Sequence, residues 1–286
     1  MSDLFEFKAP KNQYAVMGNP VAQSRSPLIH EMFAQQCGIS LEYGRIQVDV
    51  GGFEQAVSHF AAHDGAGLNI TVPFKVDAWN LCRRDPNQLS ARADLAEAVN
   101  TLIFGDHGKI QGDNTDGAGI VRDIEHNLGV TLAQKKILIV GAGGAARGVL
   151  GPILESKPAT LQIVNRTAEK AITLARRFYQ LGFNQTLGSA LGRTSGSYDL
   201  IINATAASLN GQLPEIDSAC VGDQTLAYDM MYGSEPTLFM KWARDQGAGR
   251  TADGLGMLVE QAAESFRLWH QQEPDTAPVI SYLRKL

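Results

Sequence analysis

A disulfide framework, a basic surface and a membrane span are all missing from this chain of 286 residues. Its three cysteines, Cys37, Cys82 and Cys220, lie far apart, with no Cys-x-x-Cys pair. That argues against a zinc ribbon or a disulfide scaffold and fits a reducing compartment, so a cytoplasmic protein is expected. Lys and Arg number 25 against 30 Asp and Glu, a formal net charge of −5. Nucleic-acid binders need many phosphate contacts, so no nucleic-acid partner is expected. The most apolar stretch, residues 137–154, holds five glycines, Pro152 and Arg147 and does not read as a membrane span. The opening MSDLFEFKAP has no basic segment followed by an apolar run, so no signal peptide is expected. Repeats, low-complexity tracts and long charge blocks are absent as well. What remains is an ordinary globular balance, 44% hydrophobic and 19% charged, long enough for two domains.

Hydrophobic periodicity predicts alternating strands and helices, hence an α/β fold. Residues 13–18 read as a strand, 27–36 as a helix, 41–48 as a strand, 51–63 as a helix and 67–73 as a strand. A helical stretch through 79–84, a loop at Asp85-Pro86-Asn87 and strands around 98–105 and 109–114 come next. Asn114-Thr115-Asp116-Gly117 is a turn that opens a helix carrying Ile120, Val121, Ile124 and Leu128. Residues 135–167 then read as strand, glycine turn, helix and strand. Further strands at 198–205 and 225–232 precede a long amphipathic helix at 256–271. Domain breaks are expected near Asp116 and Asp253.

Gly141-Ala142-Gly143-Gly144-Ala145-Ala146 matches G-x-G-x-x-G/A directly after a strand and before a helix. The first glycine permits the tight turn, the second lets backbone N–H groups approach a pyrophosphate, and Ala146 lets helix and strand pack closely. The bland alternative is a tight turn with no ligand. A Walker-type site fits less well, because no Gly-Lys-Ser/Thr follows. At the end of the next strand, where an NAD site wants a carboxylate, the chain has Asn165-Arg166-Thr167, with Lys170 behind. Those groups would hold a 2′-phosphate that a carboxylate would repel, so NADP is the expected cofactor.

Other residues suggest a substrate site. Ser24-Arg25-Ser26-Pro27 precedes the first helix, with Ser26 placed as its N-cap and Pro27 as its first residue. Ser24 is left over, and two hydroxyls there make a carboxylate cradle. In Asn69-Ile70-Thr71-Val72-Pro73-Phe74-Lys75, read as an alternating strand, Asn69, Thr71 and Pro73 share one face and Lys75 stands at the end. Lys75 reads as a pocket wall or a solvated charge, and Asp116 as a functional acid or a helix cap. Gln261 falls within the apolar arc of Met257, Leu258, Leu268 and Trp269, so its amide needs a buried partner or a ligand. His59 and His63 have i, i+4 spacing without the Glu of a zincin, and no metal is expected.

Read in order, GNPVAQSRSPLIHEMF, NITVPFK, AVNTL, GDNTDGAG, GAGGAARG, NRT, INAT, YDMMY and ADGLGMLVEQAAESFRLWH resemble the shikimate dehydrogenase family over nearly the whole chain. The resemblance implies that Lys75 and Asp116 are the catalytic pair. It implies substrate contacts at Ser24, Ser26, Asn69, Thr71, Asn100, Tyr232 and Gln261. It implies NADP contacts at Gly141, Ala142, Gly143, Gly144, Ala145, Asn165, Arg166, Thr167, Lys170, Met230 and Gly254. The implied fold is a substrate-binding α/β domain, residues 1–115 and 253–286, separated by a cleft from a Rossmann-type NADP domain, 116–252. The implied reaction is the reversible reduction of 3-dehydroshikimate to shikimate, by a monomer or homodimer whose partner is that small molecule. Gln23, Glu31 and Ala91 depart from the family's pattern; an acid near the cofactor is common at Ala91. The readings set beside this one are a quinate/shikimate dehydrogenase using NAD, a non-catalytic dinucleotide-binding regulator, and a methyltransferase.

Overall fold

The computed structural model describes residues 12–105, 109–194, 196–207 and 211–286. MSDLFEFKAP, on which the signal-peptide reading rests, lies outside them. Strands β1 (Asn12–Gly18), β2 (Leu41–Gln47), β3 (Gly65–Ile70), β4 (Thr101–Phe104) and β5 (Ile110–Asp113) form one sheet in the order β2-β1-β3-β4-β5. β1 runs parallel to β2 and β3, whereas β4 and β5 are antiparallel additions. Parallel neighbours need crossovers, and α1 (Ser26–Cys37) and α2 (Phe53–Ala62) supply them. The helices α3 (Lys75–Cys82) and α4 (Ala91–Ala96) then join β3 to β4. Met17, Leu68, Ile70, Phe74 and Leu102 are fully or almost fully buried on this sheet.

The strand read through residue 73 stops at Ile70, which corrects the alternating pattern beyond it. Thr71 N–H still bonds Met17 O, but Phe74 N–H turns back onto Thr71 O, and Val72 is 67% exposed. Pro73 has no N–H to give a ladder, so the chain turns there. Lys75 is consequently the first residue of a helix, not the end of a strand.

Strands β6 (Lys136–Val140), β7 (Thr160–Asn165), β8 (Thr186–Ala190), β9 (Leu200–Asn203), β10 (Leu226–Asp229) and β11 (Arg250–Asp253) form a second sheet, β11-β10-β9-β6-β7-β8. Every pair in it is parallel. Ile137 to Val140 and Leu200 to Asn203 are buried without alternation, as strands covered on both faces must be. Helices α6 (Gly144–Glu155), α7 (Ala168–Gln180) and α8 (Leu238–Asp245) provide that cover. Strand order reverses between β6 and β9, and ligands of open α/β sheets bind at such a reversal.

Between the sheets lie α5 (Asp116–Arg122), prolonged by a π-turn at Asp123–Asn127, and α9 (Leu255–His270), followed by α10 (Ala277–Leu283). Ile120 and Ile124 join the core of the second sheet, while Val259 and Phe266 pack with Ile29 and Phe33 of α1. The helices α5 and α9 approach so closely that a Cβ on Gly119 would stand 2.7 Å from Gln261 Cβ. Only glycine fits there. Glu264 on α9 is buried and bonded by both Arg92 and Arg267. Burial alone would raise its pKa, but the two guanidinium groups overcome that and bring it down to about 2. No helix among the described residues is long and apolar enough to cross a membrane. All three cysteines are free.

Candidate active site

A cavity of about 470 Å³ opens between the sheets. Ser24, Ser26, Asn69, Thr71, Lys75, Asn100, Asp116, Tyr232 and Gln261 all line it. Met230 and Gly254 line it too, from the side of the second sheet. A chain that scatters these residues from 24 to 261 thus folds them around one space.

On its wall Lys75 Nζ donates to Asp116 Oδ2 at 2.6 Å. The start of α3 carries the ammonium and the start of α5 carries the carboxylate. Asp116 is not spent as a cap: the N-cap position is Thr115, and its side chain makes no cap bond. The other carboxylate oxygen, Oδ1, accepts from Asn100 Nδ2 at 2.8 Å. Asn100 is itself fixed, because its Oδ1 accepts from Thr115 N–H and from Thr101 Oγ1. An ammonium and a carboxylate held in contact can stabilise an oxygen that gains charge and pass it a proton.

Gln261 meets the requirement its apolar helix face imposed. Its Nε2 donates to Leu258 O at 2.8 Å, and its Oε1 accepts from Thr115 Oγ1 and Asn100 Nδ2, each at 3.3 Å. Core backbone and cavity lining are served together. Asn69 Oδ1 accepts the Tyr43 hydroxyl at 2.6 Å, and its Nδ2 donates to Ser265 Oγ at 3.0 Å. Burial pushes the Tyr43 hydroxyl well above its ordinary pKa, so it stays a donor. Sequence reasoning missed Tyr43, Thr101, Thr115 and Ser265. Ser265 had a signal, since it sits one helical turn from Gln261 on the same face.

Ser26 does not act as the N-cap that its sequence position suggested. α1 already includes Ser26; Arg25 takes the cap position, with no side-chain cap bond. The Ser26 hydroxyl instead accepts from Ser24 Oγ at 3.2 Å, beside the cavity. Its helix start lies one residue earlier than the Ser-Pro signal implies, and that shift frees the hydroxyl.

A second cavity, of about 740 Å³, is lined by Gly141, Ala142, Gly143, Asn165, Arg166, Thr167 and Lys170 at the ends of β6 and β7. Gly141 has φ +113°, which a side chain rarely adopts, and a Cβ there would press on Ala204 O at 3.1 Å. Gly143 stands at the N-cap of α6 with no side-chain cap, so the first-turn N–H groups remain available to an anion. Arg166 and Lys170 add two cations on the adjoining wall. This donor set fits a phosphorylated dinucleotide. Gly144 and Ala145, in the first turn of α6, are not part of the lining. Leu191, Thr205, Leu213 and Pro214 also face this space and went unread in the sequence. Ala91 opens α4 behind the Ser90 cap, away from the lining of both cavities. Among the described residues, no three His, Cys, Asp or Glu side chains are grouped to hold a metal ion.

Three family models match successive parts of the chain. Residues 16–102 match the shikimate dehydrogenase substrate binding domain, 123–211 shikimate/quinate 5-dehydrogenase, and 254–281 the shikimate 5′-dehydrogenase C-terminal domain. A shikimate dehydrogenase (NADP(+)) of Saccharophagus degradans is 52% identical over 277 residues, covering 95% of this chain and 98% of that protein. The Ael1 enzyme from Pseudomonas putida superposes with a TM-score of 0.88 at 44% identity, covering 96% of this chain and 98% of that one. The Thermus thermophilus shikimate 5-dehydrogenase, in complex with NADP(H) and shikimate, gives 0.83 at 27% identity, over 96% and 99% of the two chains.

Proposed function

Because the chain belongs to the shikimate dehydrogenase family, we propose that Lys75 and Asp116 are its catalytic pair. The enzyme is an NADP-dependent oxidoreductase that reversibly reduces 3-dehydroshikimate to shikimate. The observation that carries the residue assignment is the Lys75–Asp116 contact inside the larger family of polar groups lining one cavity. NADPH, when bound, supplies the hydride that turns a ring ketone into a hydroxyl. Gly141 to Gly143 and the first turn of α6 would hold its pyrophosphate, and Arg166, Thr167 and Lys170 its 2′-phosphate.

Lys75 meets the substrate oxygen as negative charge develops on it, and its ammonium stabilises that charge. Asp116 holds the Lys75 ammonium in place, and Asn100 keeps Asp116 from turning away. A proton passes to the oxygen from this pair in reduction and returns to it in oxidation. Ser24 and Ser26 would donate hydroxyls to the ring's carboxylate, and Asn69, Thr71, Asn100, Tyr232 and Gln261 would hold its remaining oxygens. Met230 and Gly254, which line the first cavity from the side of the second sheet, would flank the cofactor. The proposed division puts residues 1–115 and 253–286 in a substrate domain and 116–252 in a cofactor domain. It is supported by a chain that leaves the first sheet after Asp113 and completes the second at Asp253. A cytoplasmic setting agrees with three free thiols, and a monomer or homodimer suffices because one chain lines both cavities.

The test is absorbance of the reduced nicotinamide on adding shikimate and NADP, with quinate and NAD as crossed controls. Turnover with shikimate and NADP well above the other three pairs is expected. No turnover with that pair would overturn the reading.

A further inference from the structure

The two serines beside the cavity are pinned from outside it. Ser24 O accepts a two-pronged contact from Arg45, at 3.1 Å from Nε and 2.6 Å from Nη2. Arg45 lies in β2, the edge strand, opposite Val16, and its side chain is exposed and absent from the cavity wall. Arg25, between the serines, donates to Leu283 O at 3.2 Å, and its guanidinium carbon lies 5.6 Å from the ring centre of Tyr232.

These contacts have a consequence for an anion. A carbonyl oxygen turned toward a carboxylate repels it, whereas a hydroxyl turned the same way donates. The planar fork of Arg45 occupies the Ser24 carbonyl and draws it to the β2 edge. Ser24 Oγ is then left to accept from Ser26 N–H at 3.3 Å and to lie 3.2 Å from Ser26 Oγ, and both residues line the cavity. A charge-assisted fork is stronger and more sharply oriented than a neutral hydrogen bond.

We propose that Arg45 is a positioning residue for the substrate carboxylate: it clamps the Ser24 carbonyl and so holds Ser24 and Ser26 in their anion-accepting arrangement. Arg25 is the second pin, tying the same loop to Tyr232 and the C-terminal helix. This rests on the reading of the cavity as the site of a ring carboxylate.

The experiment compares Arg45→Met and Arg45→Lys with the unaltered enzyme, using shikimate and shikimate methyl ester at saturating NADP. For Arg45→Met, KM for shikimate should rise about tenfold, equivalent to about 1.4 kcal/mol, with kcat changed less than about twofold. Arg45→Lys restores charge without the fork and should recover only part of that loss. The ester carries no anion, so its kcat/KM should fall less than that of the acid. An unchanged KM in Arg45→Met, or equal losses on acid and ester, would overturn the assignment. Arg45→Lys, which keeps the charge and the aliphatic stem, decides the matter if Arg45→Met melts early. Inactivity of the unaltered enzyme toward shikimate would instead remove the reading of the cavity itself.

Discussion

Asn100 Nδ2 grips one oxygen of the Asp116 carboxylate at 2.8 Å while Lys75 Nζ takes the other at 2.6 Å. The ammonium therefore has a partner that cannot rotate out of reach. Replacing Lys75 with Met keeps the length of the side chain and removes its charge and its proton. Turnover should fall by about 10²–10⁴-fold, the usual worth of positioned acid–base catalysis, with KM for shikimate less affected. Steady-state kinetics at saturating NADP measure both. Undiminished kcat would strip Lys75 of the proposed role.

Asp116→Asn preserves the shape and leaves an amide oxygen for Asn100, but removes the charge facing Lys75. A loss of kcat of about 10²-fold or more is expected, with little change in melting temperature, because the Asp116 side chain does not cap α5. A variant that kept full turnover and lost stability would make the carboxylate structural.

Local patterns made the nucleotide half of this protein readable. The apolar run of β6, the glycine turn and the helix after it are contiguous, so periodicity and turn chemistry suffice there. Lys75 and Asp116 are different. They are 41 positions apart, and only the tertiary fold brings the starts of α3 and α5 within reach of each other. From the residues alone, Lys75 reads first as a solvated charge and only second as a catalytic group; the family resemblance singles it out. Ser26 shows a subtler failure. Serine before proline is a sound cap signal, yet the helix begins one residue early and the hydroxyl serves the cavity. Tyr43 and Arg45 gave no sign at all, because their roles depend on where an edge strand lies against loops distant in the chain. Such tertiary contacts have no period to detect.

Arg166 follows β7 and faces the second cavity together with Thr167 and Lys170. Exchanging it for Glu would remove a partner of the 2′-phosphate and place a repelling charge beside it. The charge-assisted contact alone is worth about 1.5–3 kcal/mol, which is roughly one to two powers of ten in affinity. KM for NADP should rise at least that far, while KM for NAD stays nearly level. Measuring both cofactors with shikimate checks it. Equal losses would mean that Arg166 acts on the fold and not on the phosphate.

His30 on α1 is fully buried, its ring stacked on Tyr43 with centroids 4.4 Å apart and planes 7° from parallel. Phe33, Phe266 and Trp269 close the remaining sides, with Asn69 and His270 as its polar neighbours. Burial pushes its pKa down to about 3, a pull from Asn69 opposes this, and the nearby His270 adds to it. In the unfolded chain a histidine titrates near about 6.5. Between those values the unfolded state binds the extra proton, so stability must fall as the pH drops through that window. One such group contributes at most about 1.4 kcal/mol per pH unit. Urea unfolding between pH 7 and 5 should therefore show a shallower dependence in His30→Phe, which keeps an aromatic ring on Tyr43 and cannot be protonated. His270, also lowered by burial, leaves some slope in that variant. Identical slopes in the two proteins would mean that His30 takes up its proton while the chain is still folded.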